Sequence, residues 1–347
     1  MISEALHRPA GHAGSALDAF LRRHLGEFAG GASVERLNGG QSNPTFLVTA
    51  GSRRCVLRAK PPGHLLPSAH AIEREYRVIA ALAGSGVPVP RALALCEDPS
   101  VFGTPFYLME HVEGRILRDP ALPGMAPGER AAMYDELNRV IAALHRVDYT
   151  ALGLADYGKA GNYMERQVAR WTRQYRAAET ETIDAVDRLI AWLPAHIPAQ
   201  DETRIVHGDF RIDNVVFHPT EPRILAVLDW ELSTLGHPLA DFAYHCMAWR
   251  MAPPVARGLA GQPLAALGIS DEATYLDAYC RRTGRAGVAA AEWEFYLVFN
   301  MFRLAGILQG VAHRAVQGNA AAADAVATGR RARPLAEQAW RMAQAIR

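Results

Sequence analysis

The run His207-Gly208-Asp209-Phe210-Arg211-Ile212-Asp213-Asn214, continued through two short apolar segments to Leu228-Asp229-Trp230, decides how this chain is read. It places a carboxylate, an amide five residues later, and a second carboxylate beyond a strand pair. The strands are Asn214 to Phe217 and Ile224 to Leu228, joined by His218-Pro219-Thr220-Glu221-Pro222. Phosphoryl transfer needs such a set: a base to orient and deprotonate an attacking hydroxyl, and oxygen ligands to hold Mg²⁺ on the phosphates. On that logic Asp209 is the base or orienter, and Asn214 and Asp229 are metal ligands. Arg211 is placed to neutralise charge on the transferred group. An isolated His-Gly-Asp is commonly a turn, and Asp–Asn pairs commonly close turns. The complete H-x-D-x-x-x-x-N spacing, with an apolar-flanked Asp after a hairpin, outweighs that bland alternative. His207 itself is expected to pack or hold the loop backbone.

Moving outward, the residues before this run divide into two styles. Phe46-Leu47-Val48 and Cys55-Val56-Leu57-Arg58 are apolar runs around Ala50-Gly51-Ser52, a hairpin signal. Ile72, Tyr76, Ile79 and Leu82 recur at helical spacing from Ala71 to Leu82, and Gly84-Ser85-Gly86 with Pro88 and Pro90 ends that helix. Leu93 to Leu95 and Phe106 to Met109 read as two more strands. After Gly114 the pattern turns helical: Ala131 to His145, Met164 to Ala178, Ile183 to Leu193, and nearly everything beyond Asp241. The expected fold is α+β, an antiparallel-sheet lobe over 1–111 followed by a mainly helical lobe over 112–347.

The chain has 347 residues, 37 basic against 36 acidic, and a net charge of +1. That length allows about two domains of roughly 100–200 residues, and the charge balance supplies no basic field for nucleic acid. Lys60 and Lys159 are the only lysines. Cys55, Cys96, Cys246 and Cys280 show no metal-ligand spacing and no disulfide framework. The N-terminus lacks the apolar run of a secretory signal. The most apolar stretch, Phe295 to Val311, is interrupted by Asn300 and Arg303, so no membrane span is expected. A cytoplasmic protein is the resulting expectation.

HGDFRIDNVVF (207–217) followed by ILAVLDWELSTLGHPLADFAYH (224–245) resembles the aminoglycoside phosphotransferase-like branch of the protein-kinase-like superfamily. More narrowly, VLRAKPPGHLLPSAHAIEREYRV (56–78) is similar to the kinase-like domains fused to, or encoded beside, acyl-CoA dehydrogenases. The resemblance runs from about Leu37 to His245 and implies a two-lobed kinase-like fold using ATP and Mg²⁺. It implies that Gly39, Gly40, Gln41, Ser42 and Asn43 form a loop over the nucleotide phosphates, where glycine lets the backbone approach closely. It also implies a strand cation paired with a helix glutamate. Arg58 and Lys60 both share a strand face with Val56, but Lys60 abuts Pro61-Pro62, where the strand must end, so Arg58 is preferred and Lys60 is its competitor. Glu75 is preferred over Glu73 as partner. Backbone groups around Glu110 and Val112 resemble the adenine-binding hinge, and Asp241 matches an aspartate that braces the catalytic loop.

The acceptor is expected to be a small molecule carrying a hydroxyl. Asp229 is followed almost at once by Asp241, which leaves no room for the peptide-docking segment of protein kinases. From Asp271 onward, seven acidic residues face ten arginines, a net of +3 that disfavours a polycationic aminoglycoside. With the dehydrogenase-linked resemblance, this points to a hydroxyacyl-CoA acceptor and to an acyl-CoA dehydrogenase acting in the same pathway. The alternatives are a nucleotide-binding pseudokinase with a regulatory role, an aminoglycoside or amino-alcohol kinase, and a hydrolase in which Asp209 activates water.

Overall fold

The computed structural model describes residues 11–12, 14–27, 30–37, 43–61, 71–253, 255–316 and 325–346. The chain divides into two compact units: Met1–Arg115 with Leu152–Leu154 and Val215–Leu232, and Ile116–Ala151 with Ala155–Asn214 and Ser233–Arg347.

The first unit is built on an antiparallel sheet of β1 (Gly11–His12), β2 (Ser33–Arg36), β3 (Thr45–Ala50), β4 (Arg53–Ala59), β5 (Ala92–Cys96) and β6 (Phe106–Glu110), in the order β1-β2-β3-β4-β6-β5. The β3–β4 hairpin pairs Phe46 with Leu57 and Val48 with Cys55 around Gly51-Ser52. Because side chains alternate across a strand, Cys55, Leu57 and Ala59 enter one core with Phe46, Val48, Phe106 and Leu108. Helix α1 (Ser15–Leu25) lays Leu17 and Leu21 into that core, each burial worth about 1.5–3 kcal/mol. Val56 and Arg58 therefore point to the opposite face. Helix α2 (Ile72–Leu82) supplies Ile72, Glu75, Val78, Ile79 and Leu82 as buried positions.

The hairpin of β8 (Val215–Phe217) and β9 (Ile224–Val227) belongs to this first unit, although the sequence boundary after residue 111 places it in the helical lobe. Long-range backbone pairing is the reason. Arg115 exchanges hydrogen bonds of 2.8 and 2.9 Å with Phe217, and Val227 N–H donates to Pro88 O over 2.9 Å. Gly114 permits this approach, since a Cβ there would lie 2.2 Å from the Phe217 carbonyl oxygen.

The second unit is mainly helical: α3 (Pro127–Arg146), α4 (Tyr163–Ala177), α5 (Asp184–Trp192), α6 (Pro238–Cys246), α7 (Glu272–Thr283), α8 (Ala290–Val316) and α9 (Ala332–Ala345). A two-stranded ladder pairs β7 (Arg204–Val206), which leads into the 207–214 segment, with β10 (Thr234–Gly236). Helix α8 is the spine, packing against α9, α6 and α4. It runs longer than the apolar stretch read from sequence and is long and apolar enough to span a bilayer, but 72% of its most apolar window is buried within the structure. Its apolar surface is spent on neighbouring helices.

Candidate active site

In the first unit, Arg58 is 8% exposed and lies at the centre of a carboxylate cluster. Its Nε sits 2.8 Å from Glu75 Oε2, and its Nη2 reaches Asp229 Oδ1 at 2.6 Å and Glu231 Oε2 at 3.5 Å. Burial opposes its charge, but the carboxylates around it hold the guanidinium above its ordinary range. Glu75 is 2% exposed and accepts from Asn43 Nδ2 at 2.6 Å and from the Tyr107 hydroxyl at 3.1 Å. The competitors lie elsewhere: Lys60 follows the end of β4 and Glu73 is exposed. Asp229 adopts φ 64°, a left-handed backbone that non-glycine residues seldom take and that concentrates at functional sites.

Gly39, Gly40, Gln41 and Ser42, expected from the resemblance to cover the phosphates, lie outside the described residues. Asn43, the last of that set, is fully buried, and its amide donates to Glu75. At the expected hinge, Glu110 N–H donates to Arg91 O over 2.9 Å. A pocket of about 490 Å³ opens there, lined by Arg54, Val89, His111, Val112 and Leu225 among others. Glu110 also lines it.

In the second unit, Asp209, Arg211 and Asn214 come together. Asn214 Nδ2 donates to Asp209 O and to Asp209 Oδ2, both at 2.8 Å. Arg211 Nε lies 3.1 Å from Asp209 Oδ1, and its Nη2 lies 3.2 Å from Asp213 Oδ2. The half-exposed Arg211 side chain therefore bridges two carboxylates. Gly208 takes φ 83°, which lets the loop turn sharply before Asp209. The loop is braced from α6: Asp241 accepts from the N–H groups of His207 and Gly208, each at 2.8 Å. Burial works to raise the Asp241 pKa, yet hydrogen bonds from His145 and the His207 backbone hold it below the usual carboxylate range. His145 in turn contacts Asp241 at 3.1 Å and the Tyr279 hydroxyl at 2.7 Å. His207 is fully buried and its Nδ1 accepts from Asp209 N–H at 3.2 Å. Beside the loop lies a cavity of about 420 Å³, bordered by Arg211, Ile212 and Asp213 and floored by apolar side chains.

Residues 33–296 match the family model described as the phosphotransferase enzyme family, well over half of the chain. The chain belongs to this family. It is 49% identical over 328 residues to acyl-CoA dehydrogenase family member 10 of Mus musculus, a match covering 94% of this chain and 30% of the relative. The chain thus spans under a third of that protein's length. A crystal structure from Ralstonia eutropha, provisionally described as an aminoglycoside phosphotransferase, is 58% identical with a TM-score of 0.88, covering 96% of this chain and 98% of that one. A thermostable mutant of aminoglycoside phosphotransferase APH(4)-Ia, in ternary complex with AMP-PNP and hygromycin B, shares the fold at 18% identity, TM-score 0.57, covering 94% of this chain and 99% of that one. The α+β, protein-kinase-like architecture expected from the motifs is the architecture of this phosphotransferase.

Two residues that support the phosphotransferase's loop were missed in the sequence. Tyr244 hydrogen-bonds the Asp209 carboxylate and is pushed above the ordinary phenol range, chiefly by burial. Arg303 on α8 donates to Gly208 O at 2.6 Å, with its guanidinium 4.7 Å from the Tyr244 ring centroid and 5.3 Å from that of Trp171. The signal for Arg303 was present as a cation interrupting an otherwise apolar helix, where a buried charge demands a partner. Tyr244 offered no such signal. Nearby aromatic side chains serve packing: Tyr175 is fully buried and Trp192 stacks on His196 at 4.0 Å.

Proposed function

We propose that this phosphotransferase is an ATP-dependent small-molecule kinase that transfers the γ-phosphoryl group to an acceptor hydroxyl, with a hydroxyacyl-CoA as acceptor. The observation that carries the reading is the Asp209–Asn214 pair on a loop whose backbone is fixed by Asp241. One Asp209 oxygen is occupied by the Asn214 amide, and the carboxylate is oriented as an acceptor-aligning base must be. The first unit would supply the nucleotide contacts: the pocket at Glu110 and Val112 for adenine, and Arg58, set by Glu75, for phosphate oxygens.

The donor chemistry fits Mg²⁺. With its nitrogen committed to Asp209, Asn214 in the second unit keeps a carbonyl oxygen, and Asp229 in the first unit carries a carboxylate, each an oxygen donor of the kind Mg²⁺ takes. Among the described residues no group of three or more His, Cys, Asp or Glu forms a ready metal cage. Mg²⁺ in kinases is held through one or two protein oxygens plus the substrate phosphates. Mg²⁺ would supply positive charge that neutralises the phosphates. Asp209 would align the acceptor hydroxyl and take its proton, and Arg211 would be released from Asp209 and Asp213 to face the transferred group.

The net positive charge from Asp271 onward and the similarity to dehydrogenase family members support an anionic thioester over an aminoglycoside, with an acyl-CoA dehydrogenase proposed to act in the same pathway. The runner-up is a nucleotide-binding regulator without turnover. Arg58 as the strand cation, paired directly with Asp229, favours it. The experiment is Mg²⁺-dependent ADP production against hydroxyacyl-CoAs, sugars, amino alcohols and aminoglycosides, with Asp209→Asn as control. Acceptor-dependent turnover lost by at least 1,000-fold in the variant is expected, in the manner of an interaction needed in the transition state. Nucleotide binding without turnover on every acceptor would favour the regulator.

A further inference from the structure

The cavity beside the catalytic loop is chemically divided. Its floor is apolar and buried: Leu137, Met247, Met251 and Leu308 are each 8% exposed or less. Its rim is cationic. Arg118, Arg211, Arg257 and Arg331 border it, against Asp213 as the one carboxylate in the lining. Arg211 is engaged by Asp209 and Asp213. Among the described residues, Arg118 and Arg257 have no carboxylate or hydrogen-bond partner and are exposed. Arg331 makes a 3.5 Å bond to the Thr328 carbonyl. Arg118, Arg257 and Arg331 thus border one cavity, and among the described residues none of the three is paired with a carboxylate. Holding like charges together costs free energy through mutual repulsion, and a multiply charged anion relieves that cost while accepting forked hydrogen bonds.

We infer that Arg118, Arg257 and Arg331 are the acceptor-selecting residues of this phosphotransferase. They hold the phosphorylated head of an amphiphilic acceptor while its apolar chain lies on the Met247–Met251–Leu308 floor. The inference rests on the kinase reading above for the word acceptor, but the anion site is defined by the cavity itself. The division of the cavity sets the order of binding elements. The chain enters the apolar floor, the charged head stays at the exposed rim, and a hydroxyl between them comes beside Arg211, Ile212 and Asp213, next to the Asp209 loop. Polycationic acceptors are rejected by the same three charges.

The test uses the full chain and coenzyme A, 3′-dephospho-coenzyme A and uncharged pantetheine as probes, measured by titration calorimetry. The Arg257→Gln/Arg331→Gln double variant changes residues at the rim, where substitutions cost little stability, and AMP-PNP affinity with the unfolding midpoint serves as the folding control. Coenzyme A is expected to bind, pantetheine at least tenfold more weakly, and the double variant is expected to lose at least tenfold in coenzyme A affinity with a shallower salt dependence. In turnover, KM for a hydroxyacyl-CoA rises at least tenfold in the double variant while kcat stays within twofold. Equal binding of coenzyme A and pantetheine, or a double variant that binds and turns over like the parent, overturns the inference and leaves the kinase reading intact. Loss of coenzyme A affinity in the variant of a protein that phosphorylates no acceptor upholds the anion site and removes the kinase reading.

Discussion

Asp241 Oδ1 accepts the N–H of Gly208 across 2.8 Å, so a helix start and the catalytic loop are joined by a hydrogen bond that both partners bury. The second carboxylate oxygen takes the His207 N–H and lies 3.1 Å from His145 Nε2. No part of this bracing is exposed to water, so its loss is not made good by solvent.

Asp241→Ala is therefore expected to destabilise the protein by about 3–6 kcal/mol, since each buried donor left without an acceptor costs about 1–3 kcal/mol. Asp241→Asn, which keeps the shape and one acceptor oxygen, should cost about half as much. Urea unfolding measures both. A change below about 1 kcal/mol for the alanine variant would mean that the loop is held by other contacts, with Arg303 as the first to examine.

Arg58 offers a way to separate stability from nucleotide binding. Arg58→Met leaves Glu75 buried without its cation, a change expected to cost about 3–5 kcal/mol. Adding Glu75→Gln removes the stranded charge, so the double variant should regain most of that loss. It should not regain AMP-PNP affinity, because the phosphate-facing cation is still missing. Recovery of nucleotide affinity in the double variant would remove Arg58 from the phosphate site.

Much of this arrangement is legible in the chain because its elements are local. The β3–β4 hairpin, helix α2 and the catalytic loop each declare themselves through period, turn residues or spacing within about a dozen positions. The preference for Arg58 over Lys60 follows from Pro61-Pro62 ending the strand beside Lys60, and Arg58 Nε lies 2.8 Å from Glu75 Oε2. What the sequence hid is long-range. The membership of the β8–β9 hairpin depends on Arg115 meeting Phe217, and the roles of Tyr244 and Arg303 depend on α6 and α8 reaching a loop far away in sequence. No short-range pattern encodes such a meeting, and only the buried charge of Arg303 hinted at one.

Tyr244 tests how far the base depends on its neighbours. Its hydroxyl hydrogen-bonds the Asp209 carboxylate and its ring is covered by Arg303. Tyr244→Phe removes the hydrogen bond and keeps the ring. A hydrogen bond to a charged group is worth about 1.5–3 kcal/mol, so kcat should fall by about 10–100-fold with KM for MgATP unchanged. If kcat and the unfolding midpoint both stay at parental values, Asp209 is oriented by Asn214 alone.

Acid sensitivity should reside in the histidines of the helical unit. Burial pushes His245 down to about 4, and His237 is likewise pushed down to about 4 by burial. Their unfolded values lie near 6.5. Between about pH 4 and 6.5 the unfolded chain therefore binds protons that the folded protein refuses, so stability falls as the pH drops through that window and levels off below it. The full excursion is worth about 3 kcal/mol for each histidine at 1.36 kcal/mol per unit, and roughly 2 kcal/mol of it is spent by pH 5. His245→Gln keeps a donor for the Tyr275 hydroxyl, which lies 2.9 Å from His245 Nε2, and removes the titration. Urea unfolding at pH 7.5 and 5.0 should show the variant losing roughly 2 kcal/mol less than the parent on acidification. Identical losses in the two proteins would mean that His245 takes up its proton without resistance in the folded state, and that the acid sensitivity originates elsewhere.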